Sequence, residues 1–286
     1  MTTSHSSRKS ISIYGLTWSM PMLVWQLLFF VFPLCFLIAL SFWVVRNYRM
    51  VPDFDPVNWI KMFNKGYFWD AYFRTSGMAF ISTVVTSVLA FPCAYGLAFK
   101  VSANIRRWSV FFLIIPFFTS YLVRVYSWQV ILGAKGVVNG FIGYLGLGPY
   151  VMLNNPFGTI VGYLTLCLPL VVVLQLMSLA SIDQRLVEAA RNLGCGKIRT
   201  VFSVIIPLAK IGLIIGAVFC FILSFGDFVS PYYLGGSKPP TLSILIIDTT
   251  KSGQQWPRAA VVALTMIVTL LVVAFAAVNA AYRRPK

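Results

Sequence analysis

Ser181-Ile-Asp-Gln-Arg-Leu-Val-Glu188-Ala189-Ala190-Arg191-Asn-Leu-Gly194, running on to Pro207, is polar and basic, yet both flanks are apolar enough to sit in a bilayer. The stretch 180–207 reads as two short helices. Ser181 is placed to cap the first, and Gln184 three residues on completes a capping-box pattern. Leu186, Val187, Ala190 and Leu193 recur at helical spacing and predict one apolar stripe. Arg185, Glu188 and Arg191 share a neighbouring face, where two guanidiniums can bracket the carboxylate. Ala189 and Ala190 keep the surface slim, so that a partner can approach closely. Gly194 can take positive φ and stop the helix. Lys197-Ile-Arg-Thr-Val-Phe then leads into the next apolar run, bent by Pro207. A wet helical loop between membrane segments is placed to touch something in water.

The rest of the chain supports that setting. Its 286 residues are 59% hydrophobic and only 10% charged, against roughly 25% charged in soluble domains. The net charge of +16 does not point to nucleic acid, because the basic residues lie between apolar runs rather than on one soluble face. Lipid headgroups and topology account for them instead. Cys35, Cys93, Cys167, Cys195 and Cys220 show no paired spacing, so neither a disulfide framework nor a metal site is predicted. His5 is the single histidine and lies in a polar tail.

A membrane span needs about 20 apolar residues. Six runs qualify, at approximately 16–45, 75–99, 108–132, 157–179, 204–225 and 259–281, giving a six-span domain over 16–282 behind a tail at 1–15. Orientation follows from Lys and Arg in the connections. Arg8, Lys9, Lys100, Arg106, Arg107, Arg185, Arg191, Lys197, Arg199, Arg283, Arg284 and Lys286 crowd short connections on one side. The other side has longer loops with fewer basic residues, most of the acids, and the aromatics Trp59, Tyr67, Trp69, Tyr232, Tyr233 and Trp256. Both termini and the 180–207 loop are therefore expected in the cytoplasm. Pro33, Pro92, Pro116 and Pro169 fall inside the spans, where they either shape helices or line a cavity.

Glu188-Ala189-Ala190, three residues, Gly194, nine residues, then Val204-Ile-Ile-Pro207 resembles the EAA signature of ATP-binding-cassette importer permeases, E-A-A-x3-G-x9-I-x-L-P. Val204 and Ile206 depart from it by exchanges of similar volume. The resemblance implies an all-α integral membrane protein of the type I, MetI-like fold with six transmembrane helices. It also implies that Glu188, Ala189, Ala190, Gly194, Arg185, Arg191 and Pro207 couple to an ATP-binding subunit dimer. A second permease subunit forming a heterodimer and a periplasmic substrate-binding protein complete the implied assembly, in a bacterial inner membrane. The segments Pro116–Trp128, Gly136–Asn139 and Phe225–Gly236 are similar to the first permease subunit of spermidine/putrescine importers; permeases for iron, opines and phosphonates share parts of them. The nearest approach to a phosphate-binding loop, Gly194-Cys-Gly196-Lys197-Ile198, has Arg191 at the first glycine position and Ile198 where a hydroxyl is needed. The chain is therefore read as a non-catalytic subunit that binds no cofactor and borrows a partner's ATP and magnesium chemistry.

Candidates for the substrate path are fewer. Arg124, inside an apolar run, needs a partner, a wet cavity or a route to the interface. Asp227 either caps a loop or, with Tyr126, Trp128, Tyr232 and Tyr233, attracts a polyamine through charge and cation–π contacts. Asn139 and Gln175 suit either a pore wall or helix-packing hydrogen bonds. An ATP-independent carrier is the competing reading, and its inverted repeat is not seen in the sequence.

Overall fold

The structure is a computed structural model that describes residues 13–47 and 49–282, with residues 13–17 as backbone alone. Most of the tail expected at 1–15, including His5, Arg8 and Lys9, and the terminal Arg283, Arg284 and Lys286 lie outside the described residues. Those residues form a helical bundle with one small hairpin. Five helical spans are long and apolar enough to cross a membrane: Trp18–Ser41, Gly66–Phe99, Pro156–Ala180, Lys197–Gly226 and Trp256–Tyr282. A bent pair makes a sixth when counted as one span.

The first span comprises α1 (Ile13–Gln26), a π-turn at Leu27–Val31 and α2 (Phe32–Ser41). Pro33 supplies no N–H, and its ring would strike the carbonyl one turn back. The widened turn just before it opens the ladder there. The helix stops at Ser41, short of the end of the apolar run, because Val44 and Val45 go into a hairpin. Strands β1 (Val44–Arg46) and β2 (Arg49–Val51) pair Val44 with Val51 and Arg46 with Arg49, using β-branched side chains that favour extended backbone. Asn58 on α3 (Val57–Phe63) fixes this corner by donating to the Ser41 and Trp43 carbonyls at 3.2 and 2.7 Å.

Helix α4 (Gly66–Phe99) has 34 residues, about 51 Å at 1.5 Å per residue. Its first turns therefore extend beyond the bilayer core, ahead of the run read from Thr75. The third span differs more from its expectation. Instead of one helix over 108–132, α5 (Ala103–Ile114) tightens into a 3₁₀ turn at Ile115–Phe118 and meets α6 (Tyr121–Leu132) and α7 (Val137–Tyr144) at 93°. Pro116 removes a donor, and Thr119 is extended with ψ 143°. The ladder therefore has nothing to carry it through the bend.

The remaining helices are α8 (Pro156–Ala180), α9 (Gln184–Asn192), α10 (Lys197–Thr200), α11 (Ile206–Gly226), α12 (Val229–Tyr233), α13 (Leu242–Lys251) and α14 (Trp256–Tyr282). A second π-turn, Val201–Ile205, precedes Pro207 as the first precedes Pro33.

Helices α4, α8 and α11 pack against one another at the centre. Thr86, Ala90, Ala94 and Ala98 repeat every four residues along α4, and all are buried. Small side chains allow the backbones to approach closely, which drives association where lipid is as apolar as leucine. Gly212 lies against Ser178, and Gly162 against Ser230. Helix α14 packs on α2, α11 and α13, while Trp25, Phe29 and Phe30 on the first span are exposed, as a lipid-facing helix requires.

The glycines provide a paired test. A Cβ at Gly162 would collide with Ser230 Oγ, whereas one at Gly77 has nothing within 4 Å. Gly162→Ala should destabilise the subunit by about 1–3 kcal/mol through overpacking, read as a lower thermal midpoint in detergent. Gly77→Ala should be neutral or stabilise it by up to about 1 kcal/mol, read as an unchanged or higher midpoint.

Candidate functional site

At one end of the bundle, α9 and α10 bridge α8 and α11. Asp183 caps α9, its carboxylate accepting from the Arg185 amide at 3.0 Å. Ser181 does not serve as the predicted cap. Helix α8 continues to Ala180, and the Ser181 hydroxyl donates back to the Ser178 carbonyl at 2.8 Å. The helix exit matches its prediction. Gly194 has φ +84°, and the Gly194 and Cys195 amides donate to the Arg191 and Ala190 carbonyls at 2.9 and 3.1 Å, the two bonds of a Schellman turn. The space beside Gly194 is open, so it is the backbone angle that favours glycine there.

The predicted stripe divides. Val187 and Ala190 are buried, Val187 within the core cluster that includes Ile205. Leu186, Leu193, Ile198 and Phe202 stay exposed, Leu193 by 86%. Glu188 and Ala189 are exposed on the same short helix. Among the described residues neither Arg185 nor Arg191 closes an ion pair with Glu188, which leaves that carboxylate open to an external partner. The loop thus presents an apolar patch edged with charge, the composition of a docking surface.

The other candidates lie towards the opposite end of α8 or within the bundle. Asp227 follows α11 and is buried. Its carboxylate accepts from the Val229 and Ser230 amides at 2.9 and 3.2 Å and from the Tyr121 hydroxyl at 2.7 Å. Tyr121 also hydrogen-bonds Ser230 Oγ. One carboxylate therefore caps α12 and ties it to α6. Tyr121 was not singled out from the sequence, although its neighbours were; only the fold reveals its pairing with a residue more than a hundred positions away. On the same two helices the Tyr126 ring stands 4.8 Å from that of Tyr233, which stands 4.9 Å from Tyr232. The result is a run of three tyrosine rings.

Arg124 lines a cleft of about 350 Å³ with Trp128, Pro116, Leu168 and Pro169. It donates to the Thr165 carbonyl at 3.1 Å and lies 5.6 Å from the Tyr121 ring centre. In an unbroken helix that carbonyl would accept from residue 169. Pro169 has no N–H to offer, and the guanidinium takes its place. Asn139 and Gln175 are elsewhere. The Asn139 amide donates to the Gly133 and Tyr150 carbonyls and accepts from the Tyr150 amide, closing the 133–150 segment. Gln175 is buried within the central helices and donates to the Ser87 carbonyl at 3.2 Å.

The family of binding-protein-dependent transport system inner membrane components matches residues 86–284. The chain belongs to this family. It is 31% identical over 252 residues to the spermidine/putrescine transport system permease protein PotB of Escherichia coli, covering 86% of this chain and 90% of that protein. The PotB of Haemophilus influenzae is 28% identical over 262 residues, with 89% and 90% covered. A putative 2-aminoethylphosphonate transport permease of Salmonella typhimurium, PhnU, is 28% identical over 204 residues, covering 70% of this chain and 68% of that protein. Among solved structures, a bacterial ABC transporter involved in import of the acidic polysaccharide alginate superposes with a TM-score of 0.78 at 18% identity, covering 96% of this chain and 98% of that one. The family and the fold make the chain an inner-membrane permease subunit of an ABC importer with a MetI-like fold. Hydrolysis belongs to a partner subunit.

The Arg124–Pro169 relationship can be tested by rescue. Arg124→Met should destabilise the subunit by about 1.5–3 kcal/mol, the value of a charge-assisted hydrogen bond. Pro169→Ala restores an amide to the Thr165 carbonyl, so the arginine substitution should cost less in that background. Thermal midpoints of the four proteins measure the coupling.

Proposed function

We propose that this permease subunit imports polyamines of the spermidine/putrescine class. The observation that carries the proposal is the 31% identity to PotB over nearly the whole of both chains. The three-tyrosine run supports it, because electron-rich rings attract ammonium groups at ring faces. Asp227 caps the helix that carries two of those rings, yet its oxygens already accept three hydrogen bonds. In this reading it supplies long-range negative potential and a fixed α6–α12 joint rather than a free ligand. The remaining countercharge then comes from the sister subunit or the binding protein.

In the same proposal α9 and α10 face the cytoplasm, as do both termini, and rest on a dimer of ATP-binding subunits. The exposed Leu186, Leu193, Ile198 and Phe202 supply the apolar contact, and Glu188, Arg185 and Arg191 supply its orientation. A second permease subunit completes the translocation path. Closure of the ATPase dimer moves α9, and the buried Val187 passes that movement to the core cluster of α4, α8 and α11.

Two experiments test the proposal. In proteoliposomes of the assembled importer, Glu188→Arg and Gly194→Asp should each abolish substrate-stimulated ATP hydrolysis and uptake while the complex still assembles. Normal uptake by both variants would refute the coupling role. Thermal-shift titration of the partner binding protein should show stabilisation by putrescine or spermidine, following RT ln(1 + [L]/Kd). Stabilisation by a phosphonate, an opine or ferric iron, with no response to either polyamine, would refute the substrate class.

A further inference from the structure

Where α4 and α8 begin, the connection between α12 and α13 folds over them and leaves a pocket of about 120 Å³. Arg74, Asn154, Asn155, Thr159, Ser237, Lys238 and Thr241 supply its polar side chains. Helix α8 runs from this pocket to α9, so the pocket lies at the end of the bundle remote from the coupling loop.

Its walls are fixed by close backbone contact. The Asn154 amide donates to the Leu234 carbonyl at 2.8 Å, and the Ser237 amide to the Pro231 carbonyl at 3.0 Å. Gly235 lies against Thr159, and Gly236, at φ +76°, against Asn154. The Leu242 amide, next to Thr241, donates to Thr75 Oγ1 at 2.9 Å. This anchors the connection to α4 one residue beyond Arg74.

Two polar atoms of the lining residues are left without partners. Arg74 Nε and Thr241 Oγ1 are both buried atoms without a hydrogen-bond partner, and Thr241 is only 2% exposed. Arg74 and Lys238 bring two positive charges, and no carboxylate lines the pocket. Asp70, one turn back on α4, is exposed and closes no ion pair with Arg74 among the described residues. A buried guanidinium nitrogen and a buried hydroxyl, both unpaired, call for an acceptor from outside. A carboxylate fits best, since its two oxygens match the planar fork of arginine and its charge answers both cations. The volume admits a carboxylate on a short stem. A polyamine would be repelled. The same end carries a second positive cleft, of about 310 Å³, where Lys61, Lys65 and Arg258 converge beside Tyr67. This end of the bundle therefore presents a positive field to an approaching acidic partner.

We propose that the Arg74–Lys238–Thr241 pocket receives the side-chain carboxylate of an aspartate or glutamate on the substrate-delivering binding protein, and so fixes that protein over the mouth of the permease. The proposal rests on the importer reading given above. It assigns the residues that recognise the partner, and it separates their role from substrate recognition at the tyrosine run.

The test is a titration of the assembled importer in nanodiscs with its cognate binding protein, read as stimulated ATP hydrolysis. Arg74→Gln combined with Lys238→Gln should raise the half-saturating binding-protein concentration by about tenfold or more, the scale of an interface hot spot. The maximal rate should not change. Thr241→Val should raise it less, and Arg74→Lys, which keeps the charge but loses the fork, should fall between. In a scan of the binding protein's surface acids to amides, one substitution should weaken the wild-type importer and have no further effect in the doubly substituted one. An unchanged half-saturating concentration would overturn the proposal. So would a loss of maximal rate at saturating binding protein, because it would make the pocket a structural element. A wild-type importer that no binding protein stimulates would instead refute the underlying importer reading, and this pocket's role with it.

Discussion

A carbonyl freed inside a bilayer has no water to accept from, and the form of this subunit follows from how it meets that constraint. Prolines interrupt five of its apolar runs, and at four of them the chain answers in visibly different ways. Before Pro33 and Pro207 a π-turn widens the ladder. At Pro116 the helix gives way to a 3₁₀ turn and a 93° bend. At Pro169 the helix continues, and Arg124 from the bent segment donates to the carbonyl that the proline left free. The last two are linked: the bend brings α6 alongside α8, where its arginine meets the freed carbonyl.

The consequences run along α8. Its middle is packed with α4 and α11 through alanine and glycine contacts too close to slide freely. Its C-terminal end leads into α9, and its N-terminal end frames the pocket lined by Arg74 and Thr241. A tightly packed core of this kind transmits displacement instead of absorbing it. The three central helices therefore form one body, with the α9–α10 loop at one end and the pocket lined by Arg74 and Thr241 at the other. The α6–α12 joint, held by Asp227 and Tyr121, stands beside that body and is tied to it through Arg124.

Much of this was legible in the sequence. The apolar runs marked the spans because hydropathy measures what lipid tolerates, and the EAA spacing marked the exit of α9 because glycine there is needed for a left-handed angle. Direction was less legible. Hydropathy is the same whether a run continues straight or turns, so the bend after Pro116 was read as a single helix. The cap was misplaced by two residues because Ser181 can serve either the end of α8 or the start of α9, and only the length of α8 decides. Asp227 was read as either a cap or a ligand, and the structure shows its two oxygens engaged by Tyr121 and the α12 amides. Arg74 and Thr241 were missed altogether. They are far apart in sequence, and their lack of partners exists only in the folded chain.

The central claim is that α9 and α10 are the surface on which the ATP-binding subunit rests. The most direct measurement is disulfide or short-linker cross-linking in the assembled importer, with the native cysteines replaced. Leu193→Cys, on the most exposed apolar position of the loop, is compared with Tyr144→Cys, which is equally exposed at the end of α7. The account predicts that Leu193→Cys cross-links to the ATP-binding subunit, with an efficiency that changes when nucleotide is added, and that Tyr144→Cys does not. Cross-linking of the ATP-binding subunit to Tyr144→Cys, with none to Leu193→Cys, would contradict it.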